Sequence, residues 1–201
     1  MLVLRSSPPS PFGRKVKIAA SILGLSARIE VVAADTNDPA DSLREQNPLG
    51  KIPALITEDG ATIFDSRVIL DYLDWLAGGG RLVPSEPAAR FEVLTLQALA
   101  DGVMDAAILQ IYETRFREPA MRSAKWLDHQ AGKVSRALAA LERRPPDPAA
   151  RHAGAIAVAC ALGYLDLRFE GAWRSGHPRL AAWLETFAAA VPAFEATRFR
   201  A

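Results

Sequence analysis

Residues 78–87, Gly-Gly-Gly-Arg-Leu-Val-Pro-Ser-Glu-Pro, form the feature that most limits how this chain can fold. Three successive glycines carry the largest conformational entropy to be lost, and two prolines remove backbone donors, so no helix or strand runs through the segment. The sequence changes character across it. Before it, short β-type runs alternate with helical ones; after it, the chain is alanine-rich with helical periodicity throughout. Two domains are expected, 1–77 and 88–201, with 78–87 as the linker.

Within the first segment, residues 2–4 and 28–32 read as strands. Between them, Val16, Ala19, Ala20 and Leu23 fall on one face of a helix over 12–23, giving a βαβ unit. Runs at 53–57 and 61–64 flank Glu58-Asp59-Gly60, whose Asp-Gly step favours a tight hairpin. After Ser66, the positions Val68, Ile69, Tyr72, Leu73 and Leu76 repeat at helical spacing. In the second segment the spacing predicts helices over about 88–116, 126–141, 153–169 and 178–190. Pro145-Pro146-Asp147-Pro148 closes the second of these, and Pro192 follows the last.

Composition narrows the function. Half of the 201 residues are hydrophobic and 23% are charged, enough apolar material for a core and enough charge for a water-facing surface. Lysine and arginine total 24 against 23 acidic residues, a formal net charge of +1, so there is no overall field to attract a nucleic acid. The single cysteine, Cys160, lies in an apolar run and reads as a buried structural thiol. Met1-Leu2-Val3-Leu4-Arg5 breaks into polar residues and prolines before a secretory apolar region develops. The apolar run from Ala153 to Leu165 falls short of the roughly 18–20 residues that span a bilayer. A cytoplasmic protein without membrane association is expected.

Three short segments could carry chemistry. Ser10 precedes Pro11 at the start of the first helix, where serine caps well and proline costs nothing. The same helix start is electropositive, so a hydroxyl and free N–H groups could hold an anion such as a thiolate. In Asn47-Pro48-Leu49-Gly50-Lys51-Ile52-Pro53, a turn before a strand explains the proline. A cis Ile52–Pro53 bond, turning the Ile52 backbone outward to pair with an extended peptide, is the alternative. Asp65-Ser66 sits at a strand-to-helix junction; both residues have capping chemistry, and together they could hold the ammonium and carboxylate of a zwitterion.

In this order the segments resemble the cytosolic glutathione transferase family, and the resemblance extends over essentially the whole chain. Ser-Pro-Phe-Gly-Arg-Lys-Val at 10–16 is similar to the serine-type classes, such as the plant tau class and related bacterial members. The resemblance implies a thioredoxin-like α/β first domain (βαβαββα, mixed four-stranded sheet) followed by an all-α domain, assembled as a homodimer. It also implies glutathione as co-substrate, with no tightly bound cofactor and no metal. Ser10 would donate to the glutathione sulfur, Ile52 would pair with its cysteinyl backbone, and Pro53 would be the cis proline. Lys51 would approach the glycine carboxylate, Asp65 and Ser66 would hold the γ-glutamyl end, and Phe12 joins this binding set. A small hydrophobic electrophile, or a hydroperoxide, would meet Val103, Ala106, Ala107 and Gln110 on the long helix of the second domain.

The chemistry is within reach of these groups. A thiol of pKa about 8.5 is only a few per cent ionised at pH 7, and lowering it by about 2 units takes roughly 2.7 kcal/mol. A hydroxyl donor and a helix N-terminus can supply that between them, so none of His129, His152 and His177 is needed as a base. Asp101 and Asp105, one turn apart, either solvate a helix face or help bind the glutathione amine. One departure from the family pattern stands at 152–155. The central helix starts with His-Ala-Gly-Ala, not with Ser or Thr followed three residues later by Asp, and loss of that box costs about 1 kcal/mol. Two other activities share this sequence pattern: a non-catalytic ligand- or protein-binding member, and a thiol-disulfide oxidoreductase, which would want a cysteine where Ser10 stands.

Overall fold

The computed structural model describes residues 1–200. Its first domain is built on a four-stranded sheet in the order β2-β1-β3-β4. Strand β1 (Leu2–Ser6) pairs in parallel with β2 (Ile29–Ala33), Leu4 opposite Val31. The crossover between them is helix α1 (Pro11–Leu23), ended by Gly24 in the left-handed region at φ 76°. Strand β3 (Ala54–Ile56) runs antiparallel to β1, and β4 (Thr62–Ile63) antiparallel to β3. The Asp-Gly step turns the hairpin as the sequence predicts: Thr57 N–H donates to the Ala61 carbonyl at 2.8 Å, and Gly60 takes φ 84°. Between β2 and β3 the sheet is bridged by one short helix, α2 (Leu43–Gln46). Arg5 reaches out of β1 to fix this segment, donating to Asp41 at 2.7 Å, Gln46 at 2.6 Å and Ser42 at 2.9 Å. Helix α3 (Ser66–Leu76) completes the domain. Leu4, Val16, Ala20, Leu55, Ile69 and Leu73 are buried where α1 and α3 pack on one face of the sheet.

The linker is irregular, as its glycines and prolines dictate, yet it is firmly held. The buried Asp74 carboxylate near the end of α3 accepts four backbone N–H groups, from Gly80, Arg81, Leu82 and Val83, at 2.9–3.0 Å. Leu82 and Val83 are thereby turned into the core. The Leu82 carbonyl in turn accepts the N–H of Ala153, so the linker touches the central helix of the second domain.

That domain comprises α4 (Pro87–Arg115), α5 (Ala124–Arg143), α6 (Ala153–Phe169), α7 (Pro178–Ala190) and α8 (Pro192–Ala196). Helix α8 was not foreseen: Pro192 starts a new helix at a position where proline needs no donor. Helix α6, apolar from Ala153 to Leu165, is central and packs against α4, α1 and α7. A Cβ on Gly154 would stand 2.9 Å from the Val93 carbonyl, so the α4–α6 approach requires glycine there. Helix α4 is long and apolar enough by composition to cross a bilayer, but here it packs against α5 and α6.

The start of α6 corrects the expectation of a missing cap. His152 occupies the cap position, and its Nδ1 accepts the Ala155 N–H at 3.1 Å, so an imidazole nitrogen replaces the hydroxyl. Burial lowers the His152 pKa below the usual 6.5, and the cap requires an unprotonated Nδ1. Between that lowered value and about 6.5 the unfolded chain binds the extra proton, so stability is present above this window and is lost as pH falls through it. His152→Ser keeps a cap without the titration. Compared by thermal unfolding from about pH 7 to about pH 5, the native protein should lose up to ~1 kcal/mol more than the variant. Parallel profiles would remove the imidazole from this role.

Candidate functional site

The sheet register brings the three sequence segments together. Arg5 pairs with Ala54, and Leu55 with Ile63. Continued one or two residues, these ladders set Ser6, Pro53 and Asp65 side by side at one end of the sheet. Ser10 follows directly from β1 as the N-cap of α1: its Oγ accepts the Gly13 N–H at 3.1 Å, and Pro11 takes the first helical position. One oxygen lone pair is thus spent on the cap, while the hydroxyl proton is available to an acceptor outside the helix. A Cβ on Gly13 would lie 2.0 Å from Ser6 Oγ, which explains the glycine of the Ser-Pro-Phe-Gly run: it lets α1 start flush against the end of β1. Phe12 is half-buried, with Lys15 Nζ 5.7 Å from its ring centroid.

The Ile52–Pro53 bond is cis. Buried Asn47 braces the approach, donating from Nδ2 to the Lys51 carbonyl at 2.8 Å and accepting the Leu49 N–H at 3.1 Å. Pro53 is buried, Ile52 half-buried and Lys51 exposed. The Ile52 backbone N–H and C=O form no hydrogen bond among the described residues. Beside them the Phe64–Asp65 bond is also cis, and Asp65 caps α3 by accepting the Arg67 N–H at 3.0 Å. Burial opposes ionisation of Asp65, but the Arg67 guanidinium and N–H outweigh it and hold the carboxyl below its ordinary range. Ser66 is buried in the first turn of the same helix.

Behind these residues lies an ion pair absent from the sequence reading. Lys15 on α1 is fully buried and donates to Asp101 on α4 at 2.7 Å. The second Asp101 oxygen stands 3.8 Å from Arg67 Nε. Asp101, only 5% exposed, therefore does not solvate a helix face; it ties α4 to α1 and α3. Burial pushes its carboxyl above the ordinary range, against the pull of Lys15. Asp105 is exposed, and its carboxyl is also pushed up, by partial desolvation, against the pull of Lys51 and Arg67. The only sequence signal for the pair was a lysine set among Val16, Ile18 and Ala19, and a solvated lysine stem reads the same way.

The four positions expected to meet an electrophile do not border the opening next to Ser10. Val103, Ala106 and Ala107 are at most 2% exposed, and Gln110 donates back to the Ala106 carbonyl of its own helix at 3.2 Å. A cavity of about 490 Å³ opens beside Ser10 instead, walled by Pro9, Arg14, Gly163, Tyr164 and Leu167 and by the chain after α8. Sequence periodicity gave α6 only a core role. Its far end nonetheless forms this wall, because α6 packs on α1. Cys160 borders the cavity but is wholly buried, and desolvation pushes its thiol up to about 11, away from thiolate chemistry. The histidines are engaged elsewhere: His152 caps α6, His177 Nδ1 lies 2.7 Å from the Trp173 carbonyl, and His129 stacks on Trp126.

The mixed four-stranded sheet with a cis proline before β3, a serine-capped α1, an aspartate-capped α3 and a helical second domain define a thioredoxin-like architecture. The comparisons agree. Residues 9–76 match the family described as glutathione S-transferase, N-terminal domain, and residues 124–186 the corresponding C-terminal domain. A glutathione transferase family member from Pseudomonas fluorescens, solved with bound glutathione, is 43% identical over the full length of both chains at a TM-score of 0.93. A second structure from that organism, with the same identity, holds S-(propanoic acid)-glutathione at a TM-score of 0.89. The uncharacterized GST-like protein YibF of Escherichia coli is 33% identical, covering 90% of this chain and 91% of its own. The chain belongs to the glutathione S-transferase family.

The Lys15–Asp101 pair gives a direct prediction. Lys15→Met leaves a buried carboxylate without its closest cation and should cost about 3–5 kcal/mol in urea unfolding. Adding Asp101→Leu should recover more than half of that. A loss below about 1 kcal/mol in the single variant would contradict the geometry.

Proposed function

We propose that this protein binds glutathione at this end of the sheet, ionises its thiol at Ser10 and joins the glutathionyl group through its sulfur to a small electrophile. The observation that carries this reading is the Ser10 hydroxyl, fixed by its own cap yet retaining its proton, at the start of a 13-residue helix. A thiolate there receives one O–H donor and the positive end of the helix dipole. The unpaired Ile52 backbone suits the cysteinyl residue, the Asp65–Ser66 junction suits the γ-glutamyl zwitterion, and exposed Lys51 suits the glycine carboxylate.

In conjugation, a sulfur–carbon bond forms as the electrophile's leaving group departs with its electron pair. With a hydroperoxide, two glutathiones become a disulfide as the oxygen–oxygen bond is reduced to an alcohol and water. A substituent on sulfur would project into the cavity beside Ser10; the Pseudomonas fluorescens relative accommodates a substituted sulfur. Serine in this position supports a serine-type assignment, and the proposed role is the clearing of reactive compounds in the cytoplasm.

A homodimer belongs to the same reading. Val68 and Trp75 on α3 and Phe91 and Leu99 on α4 are exposed apolar residues on two helices joined by the Arg90–Asp71 ion pair. Such a patch suits a second copy of the chain. Phe91→Glu should convert the dimer to monomer in sedimentation velocity; an unchanged dimer would move the interface elsewhere.

The central test is Ser10→Ala. Turnover with a general aromatic electrophile should fall by about 10²–10³, the effect of losing a donor to a developing anion, while the protein stays folded. Full activity in that variant would end the role of Ser10.

A further inference from the structure

The cavity beside Ser10 contains a buried charge with no counter-ion among the described residues. Arg14 lies one turn after Ser10 on α1 and is 7% exposed. Its guanidinium donates to two neutral oxygens, the Phe194 carbonyl and Thr197 Oγ1, the latter at 3.3 Å, and rests 4.0 Å from the Phe194 ring centroid. Among the described residues no carboxylate lies within ion-pair distance of it. The two acids in the same wall are already engaged. Asp166 accepts both arms of Arg174, at 2.9 and 2.7 Å, and the Trp173 indole at 2.8 Å; Glu195 is paired with Arg198. Arg200 adds a further cation to the rim. Gly163 makes room for the guanidinium, since a Cβ there would stand 2.5 Å from Arg14 Nη1.

A buried cation held only by neutral oxygens is unfavourable unless an anion reaches it. Arg14 borders the cavity, so that anion can arrive from the cavity side. Ser10 and Arg14 line the same cavity, so a substituent on a sulfur held at Ser10 lies on the side where the guanidinium is reached. The geometry points to Arg14 as the anchor of an anion subsite, so that the group joined to glutathione's sulfur carries a carboxylate on a short chain. The inference rests on the proposed glutathione site, and it replaces a purely hydrophobic electrophile with an amphipathic, anionic one.

Calorimetric titration separates the two. Three ligands are compared: glutathione, S-(2-carboxyethyl)glutathione and its neutral isostere S-(2-carbamoylethyl)glutathione. The native protein should bind the carboxylate conjugate about tenfold more tightly than the amide, a preference that shrinks as salt is raised. Arg14→Gln should reduce the ratio to within about twofold, and Arg14→Lys should keep part of it. Equal affinity for the two conjugates, or preference for the amide, overturns the anion subsite while glutathione binding stands. If Arg14→Gln weakens both conjugates equally, Arg14 is only a tie between domains and the subsite is lost. Failure of all three ligands to bind removes the glutathione site and this inference together.

Discussion

The ion pair between Lys15 and Asp101 joins the two halves of this molecule behind the candidate site. Taking two charges out of water is expensive, and only close, hydrogen-bonded contact recovers the cost. The 2.7 Å contact supplies that closeness, with Arg67 as a second cation at 3.8 Å. The arrangement therefore tolerates little displacement of α1, α3 or α4 relative to one another. Helices α1 and α3 start at the end of the sheet where Ser10 and Asp65 cap them, and α4 is tied to both through Asp101.

Helix α1 is the shared element. Its first turn presents the Ser10 hydroxyl, its second sends Arg14 toward α8 and Lys15 toward α4, and its apolar face lies on the sheet. One short helix thus sets the Ser10 hydroxyl, the domain contact and one wall of the cavity. Asp74 does the equivalent for the connection, gathering four N–H groups so that glycine-rich chain becomes a fixed strap. The helical domain is consequently part of the site. Without α6 and the chain after α8, the cavity beside Ser10 would open to solvent on that side.

Much of this was legible in the residues. Serine before proline announced the start of α1, Asp-Gly announced the hairpin, and the prolines at 145–148 closed α5, because caps and turns depend on local backbone chemistry. The segments at 10, 52–53 and 65–66 converge because β3 runs antiparallel to β1 and β4 to β3, which brings the end of β1, the start of β3 and the end of β4 to the same end of the sheet. What escaped were effects of tertiary contact. Lys15 and Arg14 look like surface cations until α4, α6 and α8 close over them. Val103 and Ala107 look like cavity lining until α6 packs against α4. Helix α8 is one turn after a proline, too short for periodicity to reveal, and the imidazole cap at His152 uses a residue type outside the usual capping set.

The account stands on the ionisation of bound glutathione at Ser10. Ultraviolet titration of the thiolate in the complex measures it directly. The role proposed for Ser10 predicts a bound thiol pKa about 2 units below the roughly 8.5 of the free thiol, rising toward the free value in Ser10→Ala. A bound thiol that titrates at the free value in the native protein would contradict the account at its centre.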